Sequence, residues 1–135
     1  MRVLVCGDRW WGRMADWEGK LLPRSMKEKK LLIEILDQFH LTTPITLLIE
    51  GEAKGADLQA RSWAEKNGVP VQPYPADWDR HKKAAGPIRN TQMLKEGRPE
   101  VVLAFHSNLT LSKGTAHMMK LAKQKGIPVQ LYSST

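Results

Sequence analysis

The feature that most constrains the fold is a regular alternation of short apolar runs with stretches of helical periodicity. Five runs are typical of β-strands: Arg2–Cys6, Ile45–Ile49, Val71–Tyr74, Val101–Phe105 and Val129–Tyr132. Four stretches between them predict helices, which we expect from Ser25 to just before Pro44 and over Ala56–Lys66, Pro87–Glu96 and Thr115–Lys125. The strands lack a clean polar alternation, as is typical when both faces of a sheet are covered. The pattern therefore predicts an α/β fold with a mainly parallel five-stranded sheet and helices on both sides.

The ends of the helices carry their own signals. Three helices are followed by the same pattern, in Gly68-Val69-Pro70, Gly97-Arg98-Pro99 and Gly126-Ile127-Pro128. We expect each glycine to adopt the left-handed conformation that ends a helix, and each proline to prevent its continuation. At the start of the first helix, Ser25 and Glu28 predict a capping box, in which both side chains bond free backbone N–H groups.

Length and composition restrict the class of protein. A chain of 135 residues suits one domain over residues 1–135. The single cysteine, Cys6, excludes an internal disulfide and a cysteine-based zinc set, and we expect it to fill a buried position in a reducing compartment. No apolar run approaches the roughly 18 residues of a membrane span. The apolar run near Met1 is too short for the core of a signal peptide. We therefore expect a cytoplasmic protein without a membrane partner.

Chemistry-bearing residues follow the predicted strands. Two long stretches, Asp8–Pro23 and Pro75–Gly86, come directly after strands, so both should lie at the carboxyl edge of the sheet. Open parallel sheets bind their ligands at that edge. Glycines at the strand-to-helix turns let backbone N–H groups approach an anion. We expect ligand binding by residues of these turns: Gly7, Arg9, Trp10, Gly51, Lys54, Gly55, Asp57, Asp77, Trp78, Arg89, Asn90, Lys113, Gly114 and Thr115.

The basic residues among these candidates are informative because of their position. Lys54, Arg89 and Lys113 lie at or near predicted helix N-termini, where a positive charge costs about 0.3–1 kcal/mol. A bound anion would reverse that sign, so a site for phosphate explains their placement. The net charge of +7 also favours an anionic partner. The alternative is that these long side chains bend into solvent.

Other motifs in the sequence give weaker indications of function. The stretch Gly51–Gly55 does not match the dinucleotide fingerprint, and Lys113-Gly114-Thr115 has the wrong order for a Walker loop. The tryptophans of the first long loop, Trp10, Trp11 and Trp17, either stack on a base or cover the core. Asp77, Asp79 and His81 alternate but lack a distant fourth ligand, so we expect no metal and no cofactor. We interpret His117 as a surface residue of the last helix.

Four blocks together resemble a known family. They are Gly51-x-x-x-Gly55-Ala56-Asp57, Pro75-Ala76-Asp77-Trp78, Ala85-Gly86-Pro87-Ile88-Arg89-Asn90-x-x-Met93 and Lys113-Gly114-Thr115. With the opening Gly7-Asp8-Arg9-Trp10, they resemble the YspA-type, cpYpsA-related branch of the SLOG superfamily over almost the whole chain. The resemblance implies a single Rossmann-like domain in the form of a three-layer sandwich. It also implies a ligand that is a nucleotide or derived from one. Because such proteins often dimerise, a homodimer is a further expectation that the sequence leaves undecided.

The superfamily includes LOG-type phosphoribohydrolases and DNA-binding DprA proteins. Arg89 with Met93 resembles the catalytic arginine helix of LOG enzymes, and Gly114-Thr115 resembles the end of their phosphate-binding loop. The LOG glutamate that follows that loop is replaced by His117 or Met118, and Thr110-Leu111-Ser112 stands where LOG enzymes have paired glycines. The resemblance therefore implies a phosphate cradle more directly than a glycosidase.

Three functions follow, in order of preference. The first is a binding module for a nucleotide or a nucleotide-derived signal. The second is a hydrolase of an N-glycosidic or phosphate bond, with Arg89 as electrostatic clamp and Glu52 or Asp77 as acid or base. The third is single-stranded nucleic-acid binding, ranked last because the basic residues spread over loops and the first helix without a dense tract.

Overall fold

The computed structural model describes residues 1–13, 18–20, 24–106 and 113–133. It contains one parallel five-stranded sheet in the order β3-β2-β1-β4-β5. The strands are β1 (Arg2–Gly7), β2 (Leu47–Glu50), β3 (Val71–Pro73), β4 (Val101–Phe105) and β5 (Val129–Tyr132). The helices are α1 (Ser25–Thr42), α2 (Ala56–Lys66), α3 (Trp78–His81), α4 (Ala85–Gly97) and α5 (Lys113–Gln124), with a 3₁₀ turn over Lys82–Ala84.

The strand order creates a switch point between β1 and β4. The chain adds β2 and β3 on one side of β1 and then crosses to the other side for β4 and β5. Loops that leave β1 and β4 therefore diverge in opposite directions, which opens a crevice at the carboxyl edge. The pairing of β1 with β4 runs from Val3 opposite Val101 to Gly7 opposite Phe105.

Alternate strand residues supply two separate cores, one on each face of the sheet. Val3, Val5, Leu103 and Phe105 belong to the cluster that includes buried residues of α1 and α2. Leu4, Cys6, Val102 and Ala104 belong to the cluster that includes buried residues of α4 and α5. The predicted α/β three-layer sandwich is confirmed, because two helical layers cover both faces of a parallel sheet.

Most predicted elements are present with small shifts at their ends. The prediction missed α3 and the 3₁₀ turn, which lie inside the stretch that we expected to be a loop. The third predicted helix begins two residues before Pro87, at Ala85. A helix of four residues shows no periodicity, so sequence pattern alone cannot reveal it.

Two predicted helix signals are wrong. Gly97 is the last residue of α4, and Arg98 takes the left-handed conformation with φ +48°. A side chain at 97 would instead crowd the neighbouring strand, since a Cβ there would lie 3.0 Å from Ile49 Cδ1, which would have to shift by a few tenths of an ångström. The expected capping box also fails, because Arg24 holds the N-cap position and Glu28 Oε1 accepts a hydrogen bond from Gly12 N.

Cys6 is buried at the end of β1, as expected, and burial raises the pKa of its thiol. Within the described residues, every helix is too short or too polar to cross a membrane.

Candidate functional site

Buried polar side chains concentrate at the carboxyl edge of the sheet. Seven polar or charged residues are buried in the described part of the chain, and five of them lie at strand ends or in the first two turns of helices: Glu50, Asp57, Asn90, His106 and Thr115. Burial of polar groups is costly unless they are paired or serve a site. This edge is therefore the candidate site.

The loop after β1 closes against β4 and α2. Asp8 N donates to Phe105 O at 2.9 Å, and Asp8 Oδ1 accepts a hydrogen bond from Trp10 N at 2.8 Å. Gly7 lies so close to its neighbours that a Cβ would be 2.3 Å from Phe105 O and 2.7 Å from Ala56 Cβ. The tight packing at Gly7 brings the N-terminus of α2 against the end of β1.

Gly55 makes the same approach from the side of α2. Its φ of +87° is a conformation that side chains rarely adopt, and a Cβ would lie 2.4 Å from Asp8 O. The backbone oxygen of Asp8 also accepts a hydrogen bond from Ala56 N at 3.4 Å. Gly7 and Gly55 thus serve backbone packing at the positions where the sequence suggested contact with a ligand.

Asp57 ties the loop after β2 to the first turn of α2. Its Oδ2 accepts hydrogen bonds from Gly51 N at 3.1 Å and Ala53 N at 3.2 Å. Burial raises the pKa of Asp57 to about 7, while the hydrogen bond from Ala53 opposes that rise and the charge of Glu50 adds to it. These loop amides are already satisfied by the protein, whereas the side chain of Lys54 is exposed.

Glu50 and Glu52 share one basic partner. Arg61 Nη2 lies 2.6 Å from Glu50 Oε2 and 2.6 Å from Glu52 Oε1. Burial raises the pKa of Glu50, and the hydrogen bond from Arg61 opposes that rise. Glu52 has a positive φ of +60°, and its backbone N–H donates to Glu50 Oε1. The carboxylate that we considered as an acid or base is therefore held by an arginine on α2.

Arg89 reaches from the second turn of α4 to the loop after β2. Its Nη1 donates to Gly51 O at 2.5 Å, and its Nε donates to Asn90 Oδ1 at 3.0 Å. A Cβ at position 51 would lie 2.5 Å from Arg89 Nη1, so glycine there gives the guanidinium room. Among the described residues, Nη2 has no hydrogen-bond partner, which leaves one donor group of Arg89 for an anion.

Asn90 continues the connection to α5. Its Nδ2 donates to Gly114 O at 3.1 Å and lies 3.2 Å from His117 Nδ1. The half-buried His117 is therefore a neighbour of the site, and our interpretation of it as a surface residue is wrong. Arg89 and Asn90 together join the loop after β2 to the first turn of α5.

The first turn of α5 combines an open backbone with a basic side chain. Gly114 is exposed, and among the described residues a Cβ there would meet no atom within 4 Å, so none of these residues covers the turn. Thr115 is buried and Lys113 is exposed. The prediction about Thr110-Leu111-Ser112 lies outside the described residues, as does Trp17.

Asp77 and Trp78 lie at the start of the short helix α3. Asp77 Oδ1 caps α3 by accepting a hydrogen bond from Arg80 N at 3.1 Å. Trp78 is 55% exposed, and its ring lies 3.6 Å from the Cβ position of Gly86 on α4. Among described residues, no group of three His, Cys, Asp or Glu side chains is arranged to hold a metal.

The tryptophans of the first loop divide between the two roles considered for them. Trp11 is fully buried, its Nε1 donates to Glu28 O at 3.0 Å, and its ring packs edge-on against Phe105. Trp10 is half-buried, and the guanidinium of Arg13 lies 4.1 Å from the centre of its ring. Arg9 is exposed. Trp11 therefore belongs to the core, and only Trp10 remains as a stacking surface in the described part of this loop.

His106 is a candidate that sequence reasoning missed. It directly follows β4 at the switch point and is buried, and its Nε2 has no hydrogen-bond partner in the described residues. Val102 and Ala104 occupy alternate positions before it and lie in the core beside α4 and α5, so His106 belongs to the same side of the sheet. The sequence signal that could have identified His106 is its position directly after a predicted strand.

Comparison with known proteins identifies the family of the chain. The sequence profile of the family described as YspA, cpYpsA-related SLOG (YAcAr) matches residues 1–81, more than half of the chain. The "Gene 61 protein" of Mycobacterium phage D29 is 35% identical over 134 residues, which covers 95% of this chain and 93% of that protein. No solved structure matches significantly. The resemblance found in the sequence is thus confirmed, and the chain belongs to the YspA, cpYpsA-related SLOG family.

Proposed function

We propose that the carboxyl edge of the sheet binds a nucleotide or a nucleotide-derived ligand through its phosphate. The observation that carries the proposal is the connection of Arg89 to Gly51 and, through Asn90, to Gly114. It holds a guanidinium beside the open first turn of α5. Membership of a SLOG family supports a nucleotide-related role.

The two glycine-containing turns differ in their capacity for an anion. At α2, Asp57 and Asp8 O already occupy the amides of Gly51, Ala53 and Ala56. At α5, the helix N-terminus adds about half a positive charge, and Lys113 and Arg89 add full charges. We therefore assign the phosphate to the first turn of α5, with the Gly51–Gly55 loop as the wall behind Arg89.

The base and sugar would extend from the phosphate toward the exposed aromatic side chains. Trp10 or Trp78 would stack on the base, since each offers a partly or largely exposed ring at this edge. His106 Nε2 is buried without a partner and supplies one hydrogen bond to a ligand that enters the crevice. Of the residues predicted for the site, Gly7, Gly55 and Asp57 would act indirectly, by fixing the loops.

Hydrolysis is the less favoured function. Its acid or base, Glu52, is paired with Arg61 at 2.6 Å, and a carboxylate engaged in this way is a poor proton carrier. Asp77 Oδ1 caps α3, so one of its two carboxylate oxygens is already engaged. Binding therefore explains more of the observed contacts than turnover does.

Isothermal titration calorimetry with a panel of phosphorylated nucleotides tests the proposal. Protein freed of co-purified ligand should bind at least one member. Arg89→Ala should weaken that binding by about tenfold or more, because a charge-assisted hydrogen bond contributes about 1.5–3 kcal/mol. Lys95→Ala removes the same charge from the exposed far end of α4 and should change affinity by less than about twofold. Equal affinity of the parent and the Arg89→Ala variant for every ligand would refute the assignment.

A further inference from the structure

The net positive charge of this protein comes from its carboxyl-terminal part, where acidic residues are few. Residues 1–79 contain 11 basic and 12 acidic residues, a net charge of −1. Residues 80–135 contain 10 basic and 2 acidic residues, a net charge of +8. The chain thus divides into a nearly neutral part and a strongly basic part, although its overall charge is only +7.

The fold turns this division along the chain into a division between layers. In one helical layer, α1 contains three lysines and three acidic residues, and α2 contains two basic and two acidic residues. In the other layer, α5 contains three lysines and no acidic residue, and α4 contains two basic residues and one acidic residue. One outer face of the sandwich is therefore basic and the opposite face is balanced.

Five side chains far from the candidate site define this basic face: Lys95, Arg98, Lys120, Lys123 and Lys125. All five are exposed, and none forms an ion pair within the described part of the chain. Lys120 and Lys123 are one turn apart on α5 and line a shallow surface depression with Ala116 and Gln124. An excess of positive charge on this face attracts an extended anion.

We propose that the basic face binds the phosphate backbone of nucleic acid without regard to sequence. A single small anion would use one or two of these side chains, whereas a polyanion engages several and releases counterions from each contact. An anionic membrane fits less well, because only one exposed large apolar residue of the described chain, Ile88, lies on α4 or α5. The full set within the described residues is Met26, Ile33 and Leu41 on α1, Leu58 on α2, Trp78 on α3, Ile88 on α4 and Leu131 on β5, with none on α5.

The inference is independent of the nucleotide site at the carboxyl edge. The basic face uses the middle and the carboxyl-terminal ends of α4 and α5, whereas the proposed phosphate site uses the amino-terminal half of α4 and the first turn of α5. A nucleotide and a nucleic-acid backbone therefore occupy different places, and loss of one function leaves the other intact.

Fluorescence anisotropy with a labelled 20-nucleotide oligo-dT and a labelled 20-base-pair duplex tests the proposal. Both probes should bind at 50 mM salt, and log affinity should fall with log salt with a slope of about −3 to −5, as expected for about five contacts. The triple variant Lys120→Gln, Lys123→Gln, Lys125→Gln should lose at least about tenfold in affinity, with a slope shallower by about two to three.

The matched control removes the same charge from the balanced layer. The triple variant Lys27→Gln, Lys29→Gln, Lys30→Gln has exposed sites on α1 and should stay within about twofold of the parent. Equal loss in both triple variants would overturn the proposal, because net charge alone would then explain the binding. Binding to phosphatidylglycerol vesicles without binding to either oligonucleotide would also overturn it.

Arg89→Ala separates the two sites. It should leave oligonucleotide affinity within about twofold of the parent while it weakens the binding of nucleotides. If Arg89→Ala abolishes oligonucleotide binding, the nucleic acid occupies the carboxyl edge and the basic face is not its site. Thermal denaturation of each variant provides the check that all of them are folded.

Discussion

Arg89 Nη1 donates a hydrogen bond to Gly51 O at 2.5 Å and so joins α4 to the loop after β2. Because Nε of the same guanidinium donates to Asn90 Oδ1, its plane is fixed at two points. The remaining Nη2 can then meet a phosphate without reorientation, which lowers the entropic cost of binding. The absence of a side chain at Gly51 makes this arrangement possible.

Gly51→Ala should displace Arg89 with little loss of stability. The new Cβ would lie 2.5 Å from Nη1 and 2.9 Å from Cζ, and both atoms belong to the end of a flexible side chain that can move away. We expect nucleotide affinity to fall by about tenfold, as for a lost charge-assisted bond. Calorimetry and thermal denaturation of the same sample measure the two effects.

The control for that experiment is Gly86→Ala, whose new Cβ would lie 3.6 Å from the Trp78 ring, an ordinary van der Waals contact. It should leave affinity unchanged if Trp10 is the stacking residue. Unaltered affinity of the Gly51→Ala variant would show that the Arg89 contact does not prepare the site.

Gly55→Ala should destabilise the protein far more than Gly68→Ala. Both glycines have positive φ, +87° and +67°, but only at Gly55 would a Cβ collide with backbone, 2.4 Å from Asp8 O. We expect about 1 kcal/mol for the strain at Gly68 and at least about 3 kcal/mol at Gly55, where strain and overpacking combine. Urea denaturation at pH 7 gives both values. Equal losses would mean that α2 and the loop after β1 are not in contact.

The pH dependence of stability should reveal the buried carboxyl of Asp57. Its pKa is raised from 3.8 to about 7 by burial, so the folded state holds a proton that the unfolded state releases. Stability from this group is therefore complete below about pH 4 and is lost as the pH rises to about 7, by at most about 1.4 kcal/mol per pH unit.

Asp57→Asn keeps an oxygen acceptor for Gly51 N and Ala53 N and removes the ionisation. We expect the variant to gain stability relative to the parent as the pH rises from 4.5 to 7.5, and the difference to level off above pH 7. Urea denaturation at four pH values measures it. A constant difference across this range would contradict a raised pKa at Asp57.

Sequence pattern predicts the layers of this fold well because local signals and tertiary structure agree there. The apolar runs at β1 and β4 lie at the centre of the sheet, and α2 has the predicted bounds. Prediction fails where tertiary contacts decide. A Cβ at Gly97 would crowd the side chain of Ile49 on another element, and the Glu28 carboxylate accepts a hydrogen bond from Gly12 in the loop after β1.

The site shows the same division. The placement of Arg89, Asn90 and Gly114 near one another follows from the rule that parallel strands gather their carboxyl ends at one edge. The pairing of Glu50 with Arg61, eleven residues away, depends on how α2 packs on β2, and no sequence spacing reveals it. His106 escaped because a lone histidine after a strand has no motif around it.

A crystal structure of the protein with a nucleotide that binds in calorimetry tests the central claim most directly. The quantity to measure is the distance from the ligand's phosphate oxygens to Arg89 Nη2 and to the backbone nitrogens at the start of α5. The account predicts hydrogen-bond distances of about 2.7–3.2 Å to both. A phosphate held elsewhere, with Arg89 still bound only to Gly51 and Asn90, would contradict it.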